Sequence, residues 1–145
     1  MSGRPSPLGR ETFRHFRPIQ TRWMDNDVYG HVNNVVYYAY FDTAVNAYLI
    51  ERGLLDPVHS EVIGLVVETS CAYFASVAFP EALEAGLAVT RLGGSSVRYA
   101  VGLFRAGAAE AVAQGHFVHV YVQRATGRPV SIPGPVRAAL EELAA

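Results

Sequence analysis

The feature that most constrains the fold of this chain is a long apolar segment with the spacing of a helix. Residues 34–52 read NVVYYAYFDTAVNAYLIER. Apolar side chains recur along one helical face of this segment, at Tyr37, Phe41, Ala44 and Tyr48. Its polar positions form only a narrow strip, so the helix must be covered on most sides. The sequence therefore predicts a buried central helix over about residues 34–52, around which the rest of the chain has to pack.

The chain on both sides of this helix has the patterns of extended strands. Alternating, β-branched and aromatic segments, separated by glycine and proline turns, predict about five strands. A proline near a helix start introduces a short helix at the end of the chain. A sheet with one apolar helix packs most simply by curling around it, so we predict an α+β fold with an antiparallel sheet. The predicted strands are residues 13–23, 63–79, 83–92, 97–105 and 111–124, and the predicted C-terminal helix is residues 136–143.

Length and composition favour one domain whose surface is partly covered by another copy of the chain. A chain of 145 residues is long enough for a single core. Hydrophobic residues make up 50% of it and charged residues 17%, which is apolar for a small domain. The unpaired strands at the edges of a sheet can also pair with other chains and aggregate, unless two sheets join edge to edge. We therefore expect a homodimer or homotetramer of one domain over residues 13–145, after a flexible tail over residues 1–12.

Charge and hydropathy argue against several classes of partner. The net charge is -1, which provides no basic field for nucleic acid or anionic lipid. The first ten residues lack the apolar core of a signal peptide, so we expect a cytoplasmic protein with no membrane partner. The single cysteine, Cys71, lies in an apolar strand-like run, where a buried and unreactive thiol is expected. No cofactor is expected.

A polar loop before the helix is the candidate functional site. Two carboxylates, an imidazole and two amides crowd this loop, at Asp25, Asp27, His31, Asn33 and Asn34. Placing such groups against apolar surroundings costs solvation free energy unless each is hydrogen-bonded. Either asparagine can cap the helix, with Gly53 just past its end. A chain that carries this cluster at the mouth of a buried helix is expected to use part of it chemically.

The loop and the helix after it resemble a known family. Residues 25–34 read DNDVYGHVNN, and aromatic side chains follow at Tyr37, Tyr40 and Phe41. This pattern resembles the hotdog-fold acyl-CoA thioesterases of the 4-hydroxybenzoyl-CoA thioesterase-like group. The resemblance covers about residues 13–143. It extends to Tyr73, the strand Val118-His119-Val120-Tyr121-Val122, the turn Gly127-Arg128-Pro129 and the ending Ile132-Pro133.

The resemblance implies hydrolysis of an acyl-CoA thioester beside the helix start. The catalytic carboxylate of the group matches Asp27, which could act as a general base or as a nucleophile. The main-chain N–H that polarises the thioester carbonyl matches Asn34, and Gly30 lets the backbone come close. A helix start suits this role because its N–H groups and dipole stabilise an oxyanion. His31 could transfer a proton or hold the loop through a main-chain hydrogen bond.

The substrate-binding residues are expected on the helix and at the rim of the site. Tyr37 and Phe41 are expected to shape the acyl pocket, although both could be core residues only. Asn33 could contact substrate, although a capping role is favoured. Arg91 and Arg98, near a glycine turn, are candidates to bind the phosphates of CoA.

Three other functions compete with this interpretation. A non-catalytic acyl-CoA-binding or sensing module of this fold is credible, because a pocket that binds thioesters need not cleave them. A metal hydrolase using Asp25, Asp27 and His31 is disfavoured, since three ligands in one tight loop lack a separate fourth ligand. We therefore expect no metal. A dehydratase is disfavoured because its usual pair of histidine and acid is not recognisable.

Overall fold

Five strands and one long helix form the body of the protein, which confirms the predicted α+β architecture. The computed structural model describes residues 5–144. Neighbouring strands are antiparallel throughout and follow the order β1-β3-β4-β5-β2. The strands are β1 (His15–Gln20), β2 (Val62–Tyr73), β3 (Ala82–Leu92), β4 (Ser96–Arg105) and β5 (Ala113–Gln123). The helices are α1 (Val36–Glu51) and α2 (Gly134–Glu141), and 3₁₀ turns cover Arg10–Thr12 and Trp23–Asp25.

One face of the sheet packs on α1 and buries it, as the sequence predicts. Phe41, Ala44 and Val45 are 0% exposed. They share one apolar core with the inward side chains of the strands, such as Leu87 and Tyr99. Among the described residues, neither helix has the length and hydropathy that a membrane crossing requires.

Helix α1 begins two residues later than predicted, and its cap differs from the prediction. The N-cap is Val35, which makes no side-chain capping hydrogen bond. Instead, Asn33 accepts hydrogen bonds from the N–H of Val35 on its side-chain oxygen (3.0 Å) and from the N–H of Val36 on its carbonyl (2.9 Å). These bonds hold residues 33–35 in a turn before the helix. At the other end, Gly53 has a φ of 71°, the conformation predicted for the residue after a helix.

Two predicted strands are longer than the observed strands, because the residues at their ends form hydrogen bonds outside the sheet. Strand β1 ends at Gln20, since residues 22–25 form a turn. Strand β2 ends at Tyr73 rather than at residue 79. Beyond it, the carbonyl of Val77 accepts the N–H of Val32 (2.8 Å), so the segment after β2 meets the polar loop instead of continuing the ladder.

The outer face of the sheet is partly covered by the N-terminal segment that was predicted as a tail. Residues 1–4 lie outside the described residues. The N–H of Leu8 donates to the side chain of Gln114 (2.7 Å), and Arg10 forms an ion pair with Glu84 (2.7 Å). The rings of Phe13 and Phe104 pack edge to face at 5.7 Å. Gln114 also donates to the carbonyl of Ser6 (2.9 Å), so this segment contacts the domain from Ser6 onward.

A buried histidine lies on the inner face of the sheet. His119 is 2% exposed, and its Nδ1 atom has no hydrogen-bond partner among the described residues. Its ring packs against Tyr99, Phe117 and Tyr121. Burial lowers the pKa of His119 from 6.5 to about 4, because the charged imidazolium would lose its hydration there. The folded protein therefore holds this ring neutral at pH 7.

Lowering the pH should reduce the free energy of unfolding because His119 is buried in its neutral form. Between pH 6.5 and about pH 4 the unfolded chain binds more protons than the folded protein, so the free energy of unfolding falls as the pH falls. One such group contributes a slope of up to ~1.4 kcal/mol per pH unit. Urea unfolding at several pH values should therefore show a shallower slope for His119→Phe than for the wild type. Phe117→Leu changes a buried ring beside His119 without removing a titratable group and is the control, since it should keep the wild-type slope. An unchanged slope in His119→Phe would contradict this account.

Candidate active site

A buried carboxylate anchors the polar loop before α1. Asp25 is 1% exposed. One of its oxygens accepts the N–H of Arg22 (2.9 Å) and the hydroxyl of Tyr40 (2.6 Å), and the other accepts the Nε–H of Arg22 (3.0 Å). The carbonyl of Asp25 accepts the N–H of Asn33 (2.9 Å). Asp25 thus joins the start of the loop to its end and to the helix.

The surroundings of Asp25 keep it ionised. Burial by itself would raise the pKa of this carboxyl, but the hydrogen bonds from Tyr40 and Arg22 outweigh burial, so the pKa lies below its ordinary value. Burial and the same carboxylate raise the pKa of the Tyr40 hydroxyl. The pair is therefore a carboxylate and a neutral phenol at pH 7, which suits a fixed structural hydrogen bond.

The second aspartate of the loop is bound differently. Asp27 is partly exposed, and its two oxygens accept the N–H of Tyr29 (2.9 Å) and the side-chain amide of Asn33 (3.2 Å). The N–H of Asp27 donates to the carbonyl of His31 (2.9 Å), and its carbonyl accepts the N–H of Gly30 (3.0 Å). Gly30 has a φ of 83°, a conformation that favours glycine. Among the described residues, no cation is paired with Asp27.

The start of α1 leaves a main-chain donor free. The N–H of Asn34 has no hydrogen-bond acceptor within residues 5–144, while the N–H groups of Asn33, Val35 and Val36 are all bonded. The carbonyl of Asn34 accepts the hydroxyl of Tyr73 (2.9 Å), which ties this turn to the end of β2. Asn34 is exposed, so its free N–H can reach a bound molecule.

A cleft of about 260 Å³ opens between this helix start and the segment after β2. Its wall combines loop, helix and strand residues, and the rings of Tyr37 and Tyr73 meet there edge to face at 4.9 Å. Asp27, Gly30 and Asn33 belong to the adjoining loop and do not form the wall. The lining residues are His31, Val32, Asn34, Tyr37, Tyr73, Phe74, Ala75 and Ser76.

Three of the predicted substrate-binding residues lie away from this cleft. Phe41 is 0% exposed and packs in the core. Arg91 and Arg98 lie together in a separate groove of about 690 Å³, which shares no lining residue with the cleft. The loop residues and Tyr37 therefore lie together at or beside the cleft, and the two arginines lie together in the groove.

Sequence reasoning missed several residues that shape the site. Arg22 and Tyr40 hold Asp25, and only the spacing of three residues between Arg22 and Asp25 hinted at that contact. Phe74, Ala75 and Ser76 form part of the cleft wall but were assigned to a strand. No local motif marks these positions, because their role depends on where β2 leaves the sheet.

The region that matches the family model of the Thioesterase-like superfamily is residues 21–140, and the chain belongs to this superfamily. A solved structure of the PA5185 protein from Pseudomonas aeruginosa strain PAO1 is similar over 97% of this chain and 98% of its own, with 61% identity and a TM-score of 0.95. PA2801, a proposed thioesterase from Pseudomonas aeruginosa, is 30% identical over 88% of this chain and 98% of its own, with a TM-score of 0.80. A search of the curated proteins gave no match.

More distant structures confirm the fold. The 1,4-dihydroxy-2-naphthoyl-CoA thioesterase Slr0204 from Synechocystis is 18% identical over 88% of this chain and 96% of its own, with a TM-score of 0.80. The hotdog fold implied by the sequence resemblance is therefore shown, and the superfamily establishes thioester hydrolysis as the general class of activity. Within residues 5–144, no group of three histidine, cysteine or acidic side chains could hold a metal ion.

The contact between Asp25 and Tyr40 should contribute measurably to stability. Removing one partner leaves the other buried without its hydrogen bond, which costs about 1–3 kcal/mol. A double-mutant cycle with Asp25→Asn and Tyr40→Phe should therefore give a coupling free energy in that range by urea unfolding. Tyr29→Phe removes an exposed hydroxyl from the same loop and should leave stability unchanged. Additive effects of Asp25→Asn and Tyr40→Phe would show that the contact does not stabilise the fold.

Proposed function

We propose that this protein hydrolyses an acyl-CoA thioester to CoA and a carboxylic acid at the cleft beside the start of α1. The observation that supports this best is the free N–H of Asn34 at the cleft, next to a loop that carries the partly exposed carboxylate of Asp27. Hydrolysis of a thioester needs these two elements, a donor for the developing oxyanion and a carboxylate to begin the attack. The Synechocystis relative acts on a CoA thioester, which fits this substrate class.

Asp27 is the carboxylate that starts the reaction. Asp25 is unsuited, because it is buried and both its oxygens are held by Arg22 or Tyr40. Asp27 is held only by neutral N–H donors, so it keeps lone pairs for a water or for the thioester carbonyl. As a general base it removes a proton from the attacking water. As a nucleophile it forms an anhydride that water then hydrolyses.

The helix start stabilises the negative charge that develops on the thioester oxygen. The N–H of Asn34 donates to this oxygen, and the positive end of the α1 dipole adds to the stabilisation. Gly30 permits the tight turn between Asp27 and the helix. Asn33 orients Asp27 through its side-chain amide. His31 lines the cleft and supports the loop through its carbonyl.

The two ends of the substrate have separate binding regions. Tyr37 and Tyr73 form apolar walls for the acyl group, and Phe41 supports the helix behind them. Arg91 and Arg98 bind the phosphates of CoA. The cleft of about 260 Å³ is small for a substrate of this size, so part of its wall comes from elsewhere.

A second copy of the chain supplies that wall in a homodimer. Strand β2 is one edge of the sheet and exposes Leu65, Val66 and Val67, which are 46%, 46% and 59% exposed. The other edge, β1, carries Pro18 and the ion-paired Arg17, which discourage strand pairing. Pairing of β2 with its counterpart removes an apolar edge and brings a partner close to the end of β2, where the cleft lies.

The alternative is a module of the same fold that binds acyl-CoA without cleaving it. The same cleft and groove would serve that function. The carboxylate of Asp27, free of any cation among the described residues, favours cleavage. Thiol release distinguishes the two functions directly.

Loss of the Asp27 carboxylate should slow thioester hydrolysis strongly. Asp27→Asn keeps the size of the side chain and removes its charge, so kcat should fall by about 10²–10⁴ for a general base or a nucleophile. Thiol release from a panel of acyl-CoAs, with short, long and aromatic acyl groups, measures this. Asp42→Asn alters an exposed carboxylate on α1 and is the control. Full activity of Asp27→Asn contradicts the assignment, and binding without thiol release by the wild type supports the alternative.

A charge on the exposed edge of β2 should separate the subunits. Sedimentation of the wild type should give a dimer, or a tetramer built from such dimers, at micromolar concentration. Val67→Lys puts a charge into the proposed interface and should shift the protein towards monomer, with a parallel loss of thiol release. Gln20→Lys on the opposite edge should change neither. A well-folded wild-type monomer with full activity would contradict the dimer.

A further inference from the structure

The outer face of the sheet carries the groove that holds the two arginines proposed to bind the phosphates of CoA, and its other polar residues have no role in the proposed cleavage step. It has a volume of about 690 Å³ and lies on the opposite side of the sheet from the core. Its polar lining comes from three strands that lie side by side and from β2 at the edge. The polar side chains that line it are Ser70, Thr90, Arg91, Arg98, Gln114 and His116.

Two arginines face each other across this groove. Arg91 on β3 is directly opposite Arg98 on β4. Like charges in such cross-strand positions are destabilising. Within residues 5–144, neither arginine forms an ion pair with a carboxylate. This pair of uncompensated positive charges favours an anionic ligand.

One of the two arginines is held by a histidine whose protonation pattern follows from its neighbours. The Nη2 atom of Arg98 lies 3.0 Å from Nδ1 of His116. Because a guanidinium can only donate, Nδ1 must accept and carries no proton. The proton of the neutral ring is then on Nε2, which donates to the carboxylate of Glu68 at 2.8 Å. Glu68 thus fixes both the tautomer and the orientation of the ring.

A third residue converges on the same atom. The hydroxyl of Ser70 lies 2.8 Å from Nδ1 of His116. Ser70 and His116 are directly opposite each other on β2 and β5. Because this nitrogen has one lone pair, the Ser70 hydroxyl and the Arg98 N–H share it, while Glu68 holds the ring at Nε2.

The groove also lies next to the cleft along β2. Ser70, Cys71 and Ala72 belong to its wall, and the wall of the cleft begins at the following residue, Tyr73. Neighbouring residues in a strand are about 3.3 Å apart. The groove and the cleft lie on opposite faces at the end of β2, so a CoA thioester that occupies both has to pass its pantetheine arm around this strand end.

We propose that His116, held by Glu68, is a positioning residue that orients Arg98 for the phosphorylated nucleotide of CoA, and that this contact selects CoA thioesters over thioesters that lack the nucleotide. This inference rests on the proposed function. Acyl groups carried on pantetheine alone, or on the phosphopantetheine of a carrier protein, have no adenosine phosphates to place in the groove. The groove therefore affects binding of the substrate and leaves the chemistry at Asp27 unchanged.

Steady-state hydrolysis of a matched pair of substrates tests this. The same acyl group is supplied on CoA and on pantetheine to the wild type, Arg98→Ala and His116→Ala. Arg98→Ala should raise KM for acyl-CoA about tenfold, and His116→Ala about threefold to fivefold, with kcat unchanged. KM for acyl-pantetheine should not change in either variant. His116→Gln keeps an acceptor for Arg98 and should restore part of the lost affinity. His59→Ala removes an exposed histidine that is also paired with a carboxylate, and serves as the control.

Equal effects on both substrates, or no effect of His116→Ala on KM for acyl-CoA, would overturn the proposal. If the wild type hydrolyses neither substrate, the proposed function fails, and the groove is tested alone by calorimetry with adenosine 3′,5′-bisphosphate. Binding that weakens in Arg98→Ala and His116→Ala supports the nucleotide site. Absence of binding, or equal binding by all variants, rejects it.

Discussion

The geometry of the candidate site depends on one buried carboxylate. An ionised group inside a protein costs several kcal/mol unless its oxygens are hydrogen-bonded, and at Asp25 both oxygens have donors. Any rearrangement of the loop would break these bonds and leave the charge unpaired. Since the carbonyl of Asp25 also binds the N–H of Asn33, the same residue fixes where the turn before α1 begins. The free N–H of Asn34 follows directly from that position.

The burial of α1 explains why the loop and the end of β2 meet. A helix that is apolar on most sides requires cover from the sheet, and the loop before it then lies over the edge where β2 ends. Tyr73 and Val77 complete this contact by hydrogen bonds to the carbonyl of Asn34 and the N–H of Val32. The position of α1 on the sheet therefore determines both the packing of the core and the formation of the cleft.

The central helix and the five strands could be predicted because they rest on local periodicity. The ends of the elements could not, because they depend on tertiary hydrogen bonds. The apolar residues after Tyr73 continue a strand pattern, yet the bond from Val32 to Val77 takes them out of the sheet. In the loop, the family motif pointed to Asp27 as the candidate carboxylate. The hydrogen bond from Tyr40 that makes Asp25 structural could not be predicted locally, because it links residues fifteen positions apart. The pairing of Arg91 with Arg98 depends on a register shift in β3, which no spacing reveals.

A bulge in β2 determines which of its side chains face the core and which face the outer groove. Val66 pairs with His119 and Glu68 with Val118, so Val67 has no partner on β5. An extra residue of this kind reverses the alternation of all side chains that follow. Glu68 and Ser70 consequently face the outer groove with His116, and Tyr73 faces the core side and the cleft. If Val67 paired with Val118 in a regular ladder, every later residue of β2 would shift by one position, which would turn Tyr73 to the outer face and Glu68 and Ser70 to the core side. The position of the bulge therefore links the two ends of the proposed substrate site.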